Sequence, residues 1–319
     1  MVPAADYCKL VVHRAPVLEL GKTIKYLLLA IGLFALPLGS AHGQDLEPRR
    51  WTPLPPGMNV VGVGYAYSSG DVFFDPVLLV EDAEVEGHTA GVSYVRSLSI
   101  GGKSARLDVV VPWQNLRWSG LLDGVPATTS RVGLADPWVR LSVILAGAPV
   151  TGAAPKSSNT VVGAAIAVGL PLGEYLEERL LNLGQNRFIV RPQIGVLHTR
   201  GKWSYELTGS TFIYGDNDDF LVDSTLEQSP LYALQGHMIR FFDKPGYWAA
   251  LSAGYGWNGR STVDGDRVDD SRRLFLSAFA VGIPISRKQG LKFSYLRVRT
   301  NTNKGSDTDS LAIGWSYRF

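Results

Sequence analysis

The sequence predicts an all-β protein: a transmembrane antiparallel up-and-down β-barrel of about twelve strands, behind a cleavable export signal. Three observations carry that expectation. From residue 58 onward the side chains alternate with a period of two. The alternation puts charges on the face a soluble strand would bury and apolar groups on the face it would expose. The chain also ends on an aromatic residue, Phe319, in register with Tyr317 and Trp315.

The N-terminal region reads differently. The 319 residues carry a formal net charge of +2 and 45% hydrophobic residues, with mean hydropathy near zero. A multispan helical protein would show several apolar runs of about 20 residues. One sustained run stands out, residues 26–38, and it is too short to span comfortably. Lys22 and Lys25 precede it, and Gly39, Ser40, Ala41 and Gly43 follow. That is the basic, apolar, small-residue order of a secretory signal, so residues 1–43 are expected to be removed before Gln44. Cys8, the one cysteine, lies ahead of the run. The mature chain then has no thiol, which excludes disulfides, Cys-ligated zinc and thiol catalysis. The near-neutral charge gives no argument for a nucleic-acid partner. Residues 44–57 hold Pro48, Pro53, Pro55 and Pro56 and read as an extended leader, periplasmic or lumenal, rather than as a central strand. Residues 58–319 form the barrel.

The last strand shows the alternation best. Leu311, Ile313, Trp315, Tyr317 and Phe319 share one face, and Ala312, Gly314, Ser316 and Arg318 the other. Residues 247–258 repeat the pattern. Leu107, Val109, Val111 and Trp113 face away from Arg106 and Asp108. In lipid this order is correct; in a soluble β-sandwich it would be inverted. The template gives spans at 58–69, 86–97, 103–113, 134–146, 160–171, 187–198, 202–214, 230–241, 247–258, 272–284, 290–300 and 310–319. Short connections at 199–201, 242–246 and 285–289 alternate with long, acid-rich ones at 70–85, 172–186, 215–229 and 259–271. With the N-terminus in the periplasm, the long loops fall outside. The connection at 147–159 is too long for this scheme. Trp203, Tyr205, Tyr247, Tyr317 and Phe319 fall at periplasmic strand ends, and Trp113, Tyr255 and Trp257 at outer ones, as interfacial girdles require.

Several short motifs add a family resemblance. They are the Gly-Leu-Ala-Asp-Pro run at 133–137, the Gly-Leu-Pro-Leu-Gly run at 169–173 and the Tyr-Gly-Trp-Asn-Gly run at 255–259. Val263-Asp264-Gly265, Arg273 and Gly305-Ser306-Asp307 follow in order. Together they resemble the outer-membrane transporters grouped as the MetA-pathway of phenol degradation family. Leu172 stands where relatives often carry Thr after Pro. The resemblance implies a barrel in the outer membrane of a Gram-negative cell and passage of small aromatic or hydrophobic compounds. It supplies no catalytic residues. The terminal Trp315, Tyr317 and Phe319 also resemble the signal read by the barrel-assembly machinery.

The inward face is expected to carry Arg106, Asp108, Arg140, Arg191, Gln193, Glu206, Gln235, His237, Lys292 and Arg318. These residues either line a pore, where charge sets selectivity, or pair with one another to fill a narrow lumen. In the second case Trp138, Trp248 and the leader would help to fill it. His237, with Glu206 and Ser204 on the neighbouring strand, is the nearest approach to a hydrolase constellation. No nucleophile elbow or metal-ligand spacing accompanies it. The loop acids Asp216, Asp218, Asp219 and the 264–270 cluster do not match a calcium loop. The sequence therefore points to a passive channel for small organic solutes, with outer-membrane lipid, the assembly machinery and a small solute as partners. No cofactor, catalytic residue or metal ligand is expected. A non-conducting structural or adhesion barrel is the alternative, and an outer-membrane hydrolase the third reading.

Overall fold

The computed structural model describes residues 46–74, 79–148, 158–268, 270–302 and 304–319. The expected export signal at 1–43 and most of the 147–159 connection lie outside the described residues. The wall begins with β1 (Asn59–Phe73), β2 (Val80–Ile100), β3 (Lys103–Leu122), β4 (Val125–Leu134) and β5 (Trp138–Ala146). It continues through β6 (Ser158–Gly169), β7 (Ile189–Arg200) and β8 (Trp203–Tyr214). Two short strands, β9 (Asn217–Phe220) and β10 (Ser224–Gln228), precede β11 (Leu231–Phe241) and β12 (Trp248–Asn258). Two more, β13 (Ser261–Val263) and β14 (Asp266–Arg267), precede β15 (Arg272–Pro284), β16 (Gln289–Thr300) and β17 (Gly305–Arg318).

Thirteen of these strands make one sheet that closes through β1–β17 and β2–β3 pairing, all antiparallel. β4 pairs the outer part of β3, where Trp113 faces Leu134, and β5 pairs the inner part, where Val110 faces Trp138. The two are one strand interrupted at Ala135, Asp136 and Pro137. Thirteen strands with that pair counted once make a barrel of twelve, the number the alternation predicts. In two of the wall's two-residue hairpins both turn residues are left-handed, Gly101–Gly102 (φ +56° and +74°) and Asp123–Gly124 (φ +52° and +72°). A left-handed pair at both positions matches the right-handed twist of the flanking strands.

The structure departs from the expected spans on the outer side. Residues 114–133, left out of the wall by the lipid template, form the outer part of β3 and nearly all of β4. The reason is visible on β2. Its outward face carries Glu84, Glu86 and His88, then Val92 and Tyr94, then Arg96. The same face meets outer water, lipid and periplasmic water in turn. Above the lipid the faces invert: Ala83, Val85, Leu116 and Trp118 point inward and are buried. A template that demands apolar-out strands therefore ends at Trp113. For the same reason the 70–85 connection shrinks to 74–79. The 215–229 and 259–271 connections contain a second, four-stranded sheet in the order β14-β13-β10-β9.

Within the lipid zone the exterior is apolar and bounded by rings. Trp315, Tyr317 and Phe319 stack in sequence (centroids 6.4 and 6.0 Å apart), as do Trp203 and Tyr205 (6.5 Å), at the periplasmic end. At the outer end Trp257 lies 5.8 Å from both Tyr232 and Tyr255. Leu251 sits between these belts and is 54% exposed. Leu251→Arg should destabilise the folded barrel in vesicles by about 2–4 kcal/mol. Leu172→Arg, on an outer connection where Leu172 is 64% exposed, should change stability by less than about 0.5 kcal/mol. Equilibrium unfolding from lipid vesicles compares the two, and equal penalties would contradict the placement of the belt.

Candidate functional site

Register decides which inward side chains meet. Asp108 on β3 faces Arg140 on β5. Its carboxylate accepts from Arg106 Nε at 2.7 Å and lies 3.3 Å from Arg140 Nη2 and 4.0 Å from Arg50 Nη1. Arg50 comes from the leader and also pairs with Glu47, which lies 3.8 Å from Arg140. Three guanidiniums thus share two carboxylates inside the barrel. Removing one partner from a buried cluster of this kind costs several kcal/mol, because the remaining charges stay desolvated.

The leader runs through the lumen. Glu206 Oε2 accepts the backbone N–H groups of Arg49 (2.8 Å) and Arg50 (3.2 Å), and Oε1 accepts that of Trp51 (3.3 Å). Trp51 is fully buried against Ile144, Val161 and Leu197, and its indole N–H donates to Thr208 Oγ1 at 2.7 Å. The Arg49 guanidinium lies over the rings of Phe241 and Trp248, 5.5 and 5.4 Å from their centroids. Leu46 packs on Leu274 and Leu276. Sequence reasoning missed Glu47, Arg49, Arg50 and Trp51 because the prolines dominated that segment. Its signal was the charge and the tryptophan, which an idle spacer has no reason to carry.

The other candidates occupy the same lumen. Arg191 lies over the Phe212 ring at 4.4 Å and donates to Ser210 Oγ at 3.3 Å. With Gln193, Gln235, His237 and Trp138 it lines a cavity of about 50 Å³, room for a few water molecules. Lys292 stands on β16 between Gly282 of β15 and Gly314 of β17. Arg318 shares the inward parity but sits exposed at the periplasmic rim, where it donates to the Arg287 carbonyl. Ser204, His237 and Glu206 are not joined to one another. Ser204 Oγ pairs with Thr199 (2.8 Å), His237 Nδ1 with Ser252 Oγ (2.8 Å), and Glu206 holds the leader.

Residues 170–188 fold inward at the outer mouth and narrow it. Their anchor is Asp136, at the break between β4 and β5. Its two oxygens accept the N–H groups of Gly173 (3.0 Å) and Gln185 (2.8 Å). Leu170 and Glu174 donate to the carbonyls of Pro137 (2.9 Å) and Leu134 (2.8 Å), so the loop supplies the pairing that the interrupted strand lacks. Leu180, Leu181 and Leu183 pack inward on the outer wall cluster. Leu180 also touches the Phe220, Leu226, Val263 and Val268 cluster of the small sheet. Arg187 stacks over Tyr214 (4.8 Å) and bonds Gln228 (2.5 Å). Burial pushes its pKa down to about 10, which leaves it charged at neutral pH. The loop acids serve as acceptors: Asp264 for Thr225 N–H (2.9 Å), Asp270 for Ser261 N–H (2.8 Å) and Asp219 for Asn186 (3.1 Å).

Comparison with known proteins agrees with this architecture. A family model described as "Putative MetA-pathway of phenol degradation" matches residues 68–312. An outer membrane channel from Pseudomonas putida F1 superposes with a TM-score of 0.72 at 22% identity, covering 86% of this chain and 100% of its own. That likeness establishes the shared fold. The transport unit of the autotransporter AIDA-I from Escherichia coli gives 0.45 at 11% identity, over 94% of this chain and 98% of its own. The β domain of the Bordetella autotransporter BrkA gives 0.44 at 8%, over 82% and 100%. No curated protein matches the sequence.

The Asp136 anchor has a measurable consequence. Asp136→Ala leaves the Gly173 and Gln185 amides without their acceptor, at about 1–3 kcal/mol for each donor left unsatisfied. Trypsin should then cut faster after Arg179 in the folded, heat-modifiable barrel. An unchanged cleavage rate would mean that the loop is held by its leucines alone.

Proposed function

The chain belongs to the MetA-pathway of phenol degradation family, matched over residues 68–312, and from that premise we propose that it is an outer-membrane channel for small organic solutes whose lumen is held shut at rest by its own leader. One observation carries the reading. Residues 46–54, ahead of the exposed Pro55, Pro56 and Gly57, lie inside the barrel without adding a strand to it. They are held by side-chain contacts and by three amides on one carboxylate, which can part without breaking the wall. A wall strand could not leave so cheaply, because its amides have no water to meet in lipid.

The remaining parts fit that role. Residues 1–43 export the chain, and the leader follows at 44–57. The stacked Trp315, Tyr317 and Phe319 are the signal read by the barrel-assembly machinery. Passage requires no chemistry from Ser204, His237 or Glu206, whose separate hydrogen bonds argue against a hydrolytic constellation. The small cavity is the one observation that favours a non-conducting structural barrel, and conductance decides between the two.

In a planar bilayer, deletion of residues 46–57 should raise the open-channel conductance severalfold over the full-length mature protein. Silence in both, with no solute entry into liposomes, would leave the structural barrel as the better reading. Without the leader, inward Arg106, Arg140, Arg191 and Lys292 outnumber Asp108 and Glu206, so the open channel should prefer anions. Arg191→Glu should abolish most of that preference. Cation selectivity of the unsubstituted channel would refute the lumen assignment.

A further inference from the structure

One stretch of the inner wall, from β5 to β8, is flat and mostly apolar. Ile144, Gly163, Gly195 and Thr208 lie directly opposite one another across β5, β6, β7 and β8, forming one inward row. Val161 and Leu197 pair in the row below, beside Glu206, and Ala165 and Gln193 in the row above. Two neighbouring glycines leave a flat floor about 5 Å from strand to strand. A Cβ at either one would overlap the Trp51 ring now lying there. The row ends in the Thr208 hydroxyl, which accepts the indole N–H at 2.7 Å. The slot belongs to the wall, whereas its occupant belongs to the leader.

We propose that this row is the channel's aromatic-solute site, and that Trp51 occupies it as a tethered stand-in for the solute. The inference rests on the leader being displaceable, as the channel reading holds. The geometry selects the ligand class: a planar, uncharged one- or two-ring arene bearing an O–H or N–H donor, such as a hydroxyarene or an indole. The glycine floor admits a flat ring and excludes a puckered one. Ile144, Val161 and Leu197 contribute apolar contact. At the polar end Thr208 accepts the donor. When the leader leaves, Glu206 loses the three amides it now holds, and its carboxylate offers a second acceptor and repels an arene carboxylate.

The test needs no conductance. In the full-length mature protein, phenol and indole should accelerate tryptic cleavage after Arg49 and Arg50 in a saturable manner, because they compete with Trp51 for the slot. Cyclohexanol and benzoate should be much weaker. Calorimetry on Trp51→Gly should show one phenol or indole bound per chain. Thr208→Val in that background should weaken binding roughly two- to tenfold, and Gly195→Val should abolish it while heat-modifiable folding persists. The proposal is overturned if the arenes leave leader cleavage unchanged, if cyclohexanol matches phenol, or if binding survives Gly195→Val. If leader-deleted protein is silent in bilayers while phenol still displaces Trp51, the channel reading fails and the site stands. Conduction without arene binding would sink the site and leave the channel reading intact.

Discussion

Closure of the sheet is the constraint on which the rest of the molecule depends. A strand in hydrocarbon has no water for its amides, so every edge must meet another edge. β1 and β17 supply the final pairing, from Val60↔Arg318 to Phe73↔Gly305. Asn59 and Phe319 exchange amide–carbonyl bonds of 3.0 and 2.9 Å at its periplasmic end. Closure gives each strand one face to lipid and one to the interior. It also makes the interior of a twelve-stranded barrel narrow, and a narrow interior lined by arginines has to supply their counterions from within.

Both unusual features of the fold follow from that requirement. Pro137 has no N–H and interrupts the wall beside Asp136, leaving β4 with β3 as its one partner strand among the described residues. The gap is made good by residues 170–185, which donate to Leu134 and Pro137 and are held by the Asp136 carboxylate. The same loop carries Leu180 and Leu183 into the mouth, so repair of the wall and narrowing of the outer end are one structural event. Below it the leader completes the charge balance. Glu47 adds a carboxylate to the Arg50, Arg106, Arg140 and Asp108 cluster, and the amides of residues 49–51 satisfy Glu206. Removing the leader therefore changes the lumen's charge as well as its width.

The glycines at 163 and 195 show how the wall and its occupant are matched. Elsewhere on the inner face charged side chains stand at some paired positions, as at Asp108↔Arg140, and glycines at others, as at Gly64↔Gly91 and Gly64↔Gly314, where no ring lies on them. Here two strands omit the Cβ at the same height, and a ring takes the space. Gly282 makes a similar floor for Trp248, but there the ring comes from the neighbouring wall strand. That contrast separates packing within the wall from a position filled by a detachable segment.

The period-two pattern by itself determined the fold class, the strand count, the inward parity of Arg106, Asp108, Arg140, Arg191, Gln193, Glu206, Gln235 and His237, and the aromatic belts. Each of these is a local property, since a strand's two faces alternate whatever it pairs with. The outer halves of β2, β3 and β4 were illegible because the pattern inverts where lipid gives way to water, and sequence carries no mark of that height. Tertiary structure alone decided that the leader lies in the lumen, that Glu206 binds its amides from about 155 residues away, and that Asp136 pins the outer loop. Such contacts depend on strand stagger and tilt around the closed barrel. No local period encodes those quantities, because they are fixed when the last strand meets the first.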